Sequence, residues 1–245
     1  MEKIILIETS TSLCSVALAE DGAVTAYRES SAPKAHASLT AVFIQEVLKE
    51  RGLKLADCDA VCVSKGPGSY TGLRVGVSTA KGLCFGSGKP LLAVGTLDTL
   101  VAQSTEVEIP GQAGNDDKDG NDDKDGNGWK YIIPMIDARR MEVYSAVFTP
   151  DGRQISETTP VIVDENSFAD YMSEGQVLFI GDGAGKCADV IKHPNALFCQ
   201  CNPKASAMLR PAMNAYEKKQ FEDTAYFEPF YLKEFVATVS KKKLF

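Results

Sequence analysis

The chain has 245 residues, 44% apolar and 24% charged, with a formal net charge of -7, enough for one large domain or two modest ones with their own cores. Met1 to Ser12 lacks a basic start and an apolar signal core, and no apolar run approaches the roughly twenty residues of a membrane span. A cytoplasmic protein without membrane contact is expected, and the acid excess argues against wrapping a phosphate backbone directly, so any nucleic-acid role passes through a partner.

In chain order, Lys3 to Glu8 reads as a continuous apolar strand and Leu13 to Ala19 as its hairpin partner. Asp21-Gly22 turns the chain into a third strand, Ala23 to Arg28. His36 to Arg51 has helical spacing, with Leu39, Val42, Phe43, Val47 and Leu48 on one face and Gly52 as the stop. Asp59 to Ser64 is the next strand, followed by a glycine turn, a helix from Tyr70 to Gly86, a strand from Pro90 to Gly95 and a short helix from Thr96 to Ser104. A shorter copy of this opening follows: Tyr131 to Ile136 ending in Asp137, then Glu142 to Phe148, then Asp151-Gly152 before a third strand reaching about Val163. Glu8 lies thirteen residues before Asp21 and Asp137 fourteen before Asp151, a spacing that suggests a duplicated fold. The remainder reads as helix (Glu165 to Ser173), strand (Gln176 to Ile180), glycine turn, helix, strand and a last helix after Pro203. Three segments are expected: a first lobe, 1–104, an insertion, 105–130, and a second lobe, 131–245, whose C-terminal tail packs back on the first.

The insertion contains the acidic repeat Gly114 to Gly128, too polar to fold alone and expected to be disordered. Asp123, Asp125, Asn127 and Gly128 match the start of a calcium loop, but Pro134 stands where a bidentate Glu is needed. Seven cysteines scattered through apolar segments suit reduced thiols, and two distant histidines, His36 and His193, do not make a zinc site. His36 is expected to be solvated or to cap its helix, His193 to be a loop residue.

Ser64 to Gly82 holds Gly66, Gly68, Gly72 and Gly76 but no Gly-Lys followed by Ser or Thr, so it is not a nucleotide-binding P-loop. GDGAGKC, Gly181 to Cys187, fails the same test. The plain reading of Gly66-Pro67-Gly68 is a tight turn with Ser69 capping the helix. Gly72, Gly76, Ala80 and Cys84 recur every four residues, a ridge of small side chains against which another helix can pack closely.

GPGSYTGLRVG (Gly66 to Gly76), IETSTSLCSVAL (Ile7 to Leu18), IDARRMEVY (Ile136 to Tyr144) and PFYLK (Pro229 to Lys233) resemble the TsaB family, also called YeaZ. These glycoprotease-like proteins belong to the actin-like ATPase (ASKHA) superfamily. The resemblance implies an α/β fold of duplicated actin/Hsp70-like (ribonuclease H-like) lobes, each a mixed sheet opening with three antiparallel strands and flanked by helices. It also implies a non-catalytic scaffold for TsaD in forming N6-threonylcarbamoyladenosine next to the anticodon of tRNAs reading codons that begin with A. The implied partners are TsaD as a heterodimer, TsaE in a larger complex, a second copy of the chain when alone, and tRNA only through the complex.

TsaD-type enzymes carry a metal-binding His-x-x-x-His pair after the strand that follows the glycine helix. Here Thr96 and Leu100 stand at those positions, so neither a metal nor a catalytic residue is expected. Glu8, Thr9, Ser10 and Asp137 occupy the places of phosphate-binding hairpins, where side chains crowd a site that needs bare backbone. No cofactor is expected, and ATP binding at the usual cleft is expected to be weak or absent. Arg139 and Arg140 either contact a phosphate or pair with Glu142. The family grips its partner through first-lobe helices, which puts Leu39, Phe43, Tyr70, Gly72, Leu73, Gly76 and Ala80 at the expected interface. The competing readings are an independent ASKHA-fold ATPase or kinase and, with neither an H-E-x-x-H motif nor a plausible ligand set to support it, a metalloprotease.

Overall fold

A computed structural model describes residues 2–106 and 128–232. The acidic repeat therefore lies outside the described residues apart from Gly128, as does the chain from Lys233 onward.

The apolar opening forms β1 (Lys3–Glu8), paired antiparallel with β2 (Cys14–Glu20), which pairs antiparallel with β3 (Ala23–Ser30). Helix α1 (Ala35–Glu50) returns the chain so that β4 (Ala60–Gly66) runs parallel to β1 on its other side. Helix α2 (Tyr70–Ser87) repeats the crossover to β5 (Leu91–Gly95), and α3 (Thr96–Gln103) follows at once. The first sheet thus has the order β3-β2-β1-β4-β5.

In the second lobe β6 (Tyr131–Asp137) pairs antiparallel with β7 (Glu142–Ser145), which pairs with β8 (Thr159–Ile162). Parallel strands β9 (Val177–Gly181) and β10 (Ala196–Gln200) complete the order β10-β9-β6-β7-β8. Read from its third strand, this is the order of the first sheet, and the duplication seen in the Asp-Gly spacing is a duplication of topology. Helices α4 (Ala169–Glu174), α5 (Ala184–Ala188) and α6 (Leu209–Glu217) are the remaining α-helices among the described residues. The expected helix from Glu165 is shorter because Phe168 adopts a left-handed conformation, φ 63, and only the residues after it continue as helix.

Helices cover both faces of the first sheet. Val47 of α1 and Val77 of α2 pack with Ile5, Val16 and Val63 on one face. On the other, Met208, Ala212 and Ala215 pack with Ile4, Leu6 and Leu92. The last helix is therefore part of the first lobe's core although it follows the whole second lobe in sequence. Conversely, Leu97, Leu100 and Val101 of α3 belong to the second lobe's core with Ile132, Phe148 and Leu178. The expected boundary at 104 is corrected accordingly: α3 completes the lobe that follows it. Gln103 fixes this exchange, its side-chain amide donating to Asn202 O at 3.1 Å and its carbonyl accepting from Lys204 N at 3.1 Å.

All seven cysteines are free. No helix of the described residues is long and apolar enough to cross a membrane.

Candidate functional site

The two lobes face each other across a cleft of about 840 Å³. One wall is the hairpin Ser10 to Ser12 with the start of α2; the other is the turn between β6 and β7 with Asp182. The described tail enters the same cleft, since Phe230, Tyr231 and Leu232 line it and Phe230 N donates to Lys65 O at 2.7 Å.

Gly68 and Ser69, just before α2, form part of the first wall. Ser69 N donates to Ser10 O at 2.6 Å, and the Ser69 hydroxyl accepts from Gly72 N at 3.3 Å, so the helix is capped by its own serine while its start is pinned to the hairpin. The Thr9 hydroxyl donates to Gly72 O at 2.9 Å. A Cβ on Gly68 would collide with the Ser10 carbonyl, one on Gly72 with the Thr9 carbonyl and one on Gly76 with the Thr9 hydroxyl, each closer than the 3.0 Å that real Cβ atoms respect. The ridge packs against the β1–β2 hairpin rather than against another protein. This corrects the expected interface for Gly72, Leu73, Gly76 and Ala80, which are buried beneath α2, and for Phe43, buried beneath α1. Leu39 is half-buried and Tyr70 reaches the surface.

The outward face of the two helices carries a different set. Ala37, Tyr70, Thr71, Arg74, Val75 and Ser78 line a shallow groove between them. Val42 of α1 is 41% exposed and Phe85, near the end of α2, 89% exposed. Phe85 lies on the face of α2 opposite the small-residue stripe, so the four-residue periodicity does not point to it. The pattern does contain it: Ser78, Gly82 and Phe85 follow one another at helical spacing on the side that the stripe leaves free.

The candidate phosphate-loop residues divide by location. Glu8 and Thr9 are buried and do not line the cleft, whereas Ser10 and Asp137 do. The expectation that side chains crowd the first hairpin is thus corrected for Thr9, whose hydroxyl points under α2. Glu8 ends β1 with Oε1 accepting from Ser10 N at 2.6 Å, and burial pushes its carboxyl up to about 7. On the second wall, Asp137 Oδ1 accepts from Arg139 N at 2.7 Å and from Lys186 Nζ at 2.5 Å. Lys186 Nζ also donates to the carbonyls of Arg140 at 2.8 Å and Glu142 at 2.6 Å, so one ammonium stitches the turn together. Arg139 and Arg140 both sit in left-handed backbone, φ 70 and 50, and expose their side chains at the cleft. Asp182, which accepts from Asp137 N at 2.9 Å, is raised by burial to about 6.

Thr96 and Leu100 are both buried; the Thr96 and Ser64 hydroxyls share a hydrogen bond of 2.9 Å. Among the described residues no group of three or more His, Cys, Asp or Glu could hold a metal ion. His36 differs from expectation: it lines the cleft, and its Nε2 is shielded from solvent with no partner. His193 lies in a loop, its Nδ1 accepting from Asn195 N at 3.1 Å.

Known proteins bear on this geometry. The family model for TsaD, tRNA N6-adenosine threonylcarbamoyltransferase, matches residues 29–112. The tRNA threonylcarbamoyladenosine biosynthesis protein TsaB of Escherichia coli is 29% identical over 242 residues, 96% of this chain and 96% of that protein. The protein of the same name from Haemophilus influenzae is 34% identical over 141 residues, 58% of this chain and 51% of its own length. Among solved structures, YeaZ from Pseudomonas aeruginosa superposes with a TM-score of 0.75 at 25% identity, covering 95% of this chain and all of that one.

Proposed function

We propose, from its similarity to the TsaB (YeaZ) proteins, that the chain serves the formation of N6-threonylcarbamoyladenosine in tRNA as the non-catalytic partner of a TsaD-type enzyme. TsaE joins them in a larger assembly, and the chain meets tRNA only there. The single observation carrying the partner role is the outward face of α1 and α2: small residues, a shallow groove and a Phe85 side chain 89% exposed. A large apolar group standing in water on the helix that lines a groove is a mark of an interaction surface, and aromatic anchors contribute heavily when such a surface is covered. The same face is proposed to pair two copies about a two-fold axis when TsaD is absent. Support for the non-catalytic part comes from Thr96 and Leu100, which take the places of the metal-binding imidazoles and are committed to internal packing.

Phe85→Glu tests the partner role. We expect a folded chain whose association with TsaD from the same host, followed by light scattering, weakens by about thirtyfold or more, the effect of losing about 2 kcal/mol at a central anchor. Self-association should weaken with it. Wild-type affinity for TsaD in the variant would place the contact elsewhere. The ATPase alternative has its own check: incubated with Mg-ATP, the isolated chain is expected to release no phosphate above buffer, and multiple turnover would favour the independent enzyme.

A further inference from the structure

Strand β10 ends in a pair of thiols. It is the edge strand of the second sheet, paired with β9 alone, and its side chains alternate between the two faces. Ala196 and Phe198 pack into one half of the second-lobe core, while Leu197, Cys199 and Cys201 pack into the other. Cys199 and Cys201 therefore point the same way, two residues apart, and the Cys201 thiol donates a hydrogen bond to the Cys199 sulfur. Both are half-buried, whereas Cys14, Cys58, Cys62, Cys84 and Cys187 are buried.

Chemistry separates this pair from the other cysteines. Burial raises all five buried thiols, which holds them protonated and unreactive. Cys199 goes the other way, lowered by the hydrogen bond it accepts, while Cys201 is raised by donating that bond and by burial. One sulfur is thus the nucleophile, and the other keeps a proton beside it. Among the described residues no group of three or more His, Cys, Asp or Glu could hold a metal ion, so the pair lacks the further ligands of a zinc site. Two steps along a strand span about 6.6–6.8 Å between Cα atoms, the upper end of the roughly 4.4–6.8 Å that a disulfide accepts. A bridge can close there, but it encloses too short a loop to stabilise the fold much, and a bond at the limit of its geometry is easily reduced. Its place also matters: Cys201 N donates to Gly181 O at 3.3 Å, and the next residue, Asn202, accepts from the Gln103 amide at 3.1 Å and from the Ser12 hydroxyl at 3.3 Å. The pair sits where the chain leaves the second lobe for the first.

We propose that Cys199 and Cys201 form a reversible dithiol site that exchanges with small disulfides of the glutathione class. The Cys199 thiolate attacks one sulfur of the small disulfide, whose S–S bond breaks; a mixed disulfide forms, and the departing thiolate takes a proton from solvent. Cys201 then releases its proton and attacks the Cys199 sulfur, closing the protein disulfide and expelling the second small thiol. The protein dithiol is oxidised, one small disulfide is reduced to two thiols, and an excess of small thiol runs the sequence backwards. This site goes beyond the partner role and lies on the second lobe, apart from the outward face of α1 and α2.

The test uses the isolated full-length chain, so its outcome does not depend on the partner role. The chain is incubated with oxidised glutathione, quenched in acid, unfolded and alkylated, and its peptides are analysed by mass spectrometry. The expected result is loss of alkylation at Cys199 and Cys201 alone among the seven cysteines, with a bridged peptide that dithiothreitol returns to the dithiol form. Cys201→Ser should stop at a glutathione mixed disulfide on Cys199, and Cys199→Ser should slow the reaction of Cys201 at least tenfold. Should either variant fail to fold by circular dichroism, the wild-type chain quenched at early times gives a second measurement, with the mixed disulfide expected on Cys199. Full alkylation of both thiols at every ratio of oxidised to reduced glutathione, a bridge from either one to a different cysteine, an early mixed disulfide on Cys201, or a folded Cys199→Ser chain reacting as fast as wild type overturns the proposal.

Discussion

Replacing Gly72 by alanine is expected to lower the unfolding free energy by about 3 kcal/mol or more, the upper part of the range for overpacking a tight contact. The new methyl group would fall on the Thr9 carbonyl, which is backbone in the β1–β2 hairpin and cannot swing aside. It would also disturb the Thr9 hydroxyl that donates to Gly72 O at 2.9 Å. Gly76→Ala meets the Thr9 hydroxyl instead, a side-chain atom able to rotate, so a smaller loss of about 1–3 kcal/mol follows. At Gly82 on the outer face nothing lies within 4 Å of the added atom, and alanine should stabilise by about 0.5–1 kcal/mol through helix propensity alone. Urea unfolding with an unchanged m-value measures all three. A Gly72→Ala midpoint matching wild type would mean that the hairpin yields and that the ridge is not a packing seam.

Glu8→Gln should make the protein more stable in alkaline solution, by about 3 kcal/mol at pH 8, and this gain should vanish near pH 4.5. Burial raises the carboxyl from 4.5 to about 7, and each unit corresponds to about 1.4 kcal/mol. Between those values the folded chain holds a proton that the unfolded chain has released. Stability therefore falls as pH rises through this window: the favourable contribution is complete below the unfolded value and lost above the folded one. Glutamine keeps the shape and an oxygen to accept from Ser10 N but has no charge to desolvate. Denaturation of both chains at several pH values gives the difference curve; parallel curves from pH 4.5 to 8 would show that the folded carboxyl is not perturbed.

Much of the fold was legible because its signals are local. The apolar run of β1, the Asp-Gly turns and the repeated spacing from Glu8 and Asp137 led to two copies of one topology, and the strand orders agree. What local pattern could not carry was which lobe a helix completes. Helix α3 directly follows the first sheet yet packs under the second, and the last helix does the reverse, a choice made by long-range packing. The site was read with its faces inverted for the same reason. Periodicity reveals that Gly72, Gly76 and Ala80 share a side of α2, but not whether that side meets a hairpin of its own lobe or another protein. The outer stripe ending at Phe85 is visible only once the inner one is known to be filled.

On the proposed function the chain docks to a TsaD-type enzyme and performs no chemistry itself. Threonylcarbamoylation of tRNA by the reconstituted components measures this directly, comparing the complete set, omission of this chain, Phe85→Glu and Thr96→Val. Modification should fall to background on omission, fall nearly as far with Phe85→Glu, and persist with Thr96→Val, which removes a hydroxyl from the place of a metal ligand. Unchanged modification without the chain, or a Thr96→Val variant that still binds TsaD but modifies no more tRNA than the set lacking the chain, would contradict it.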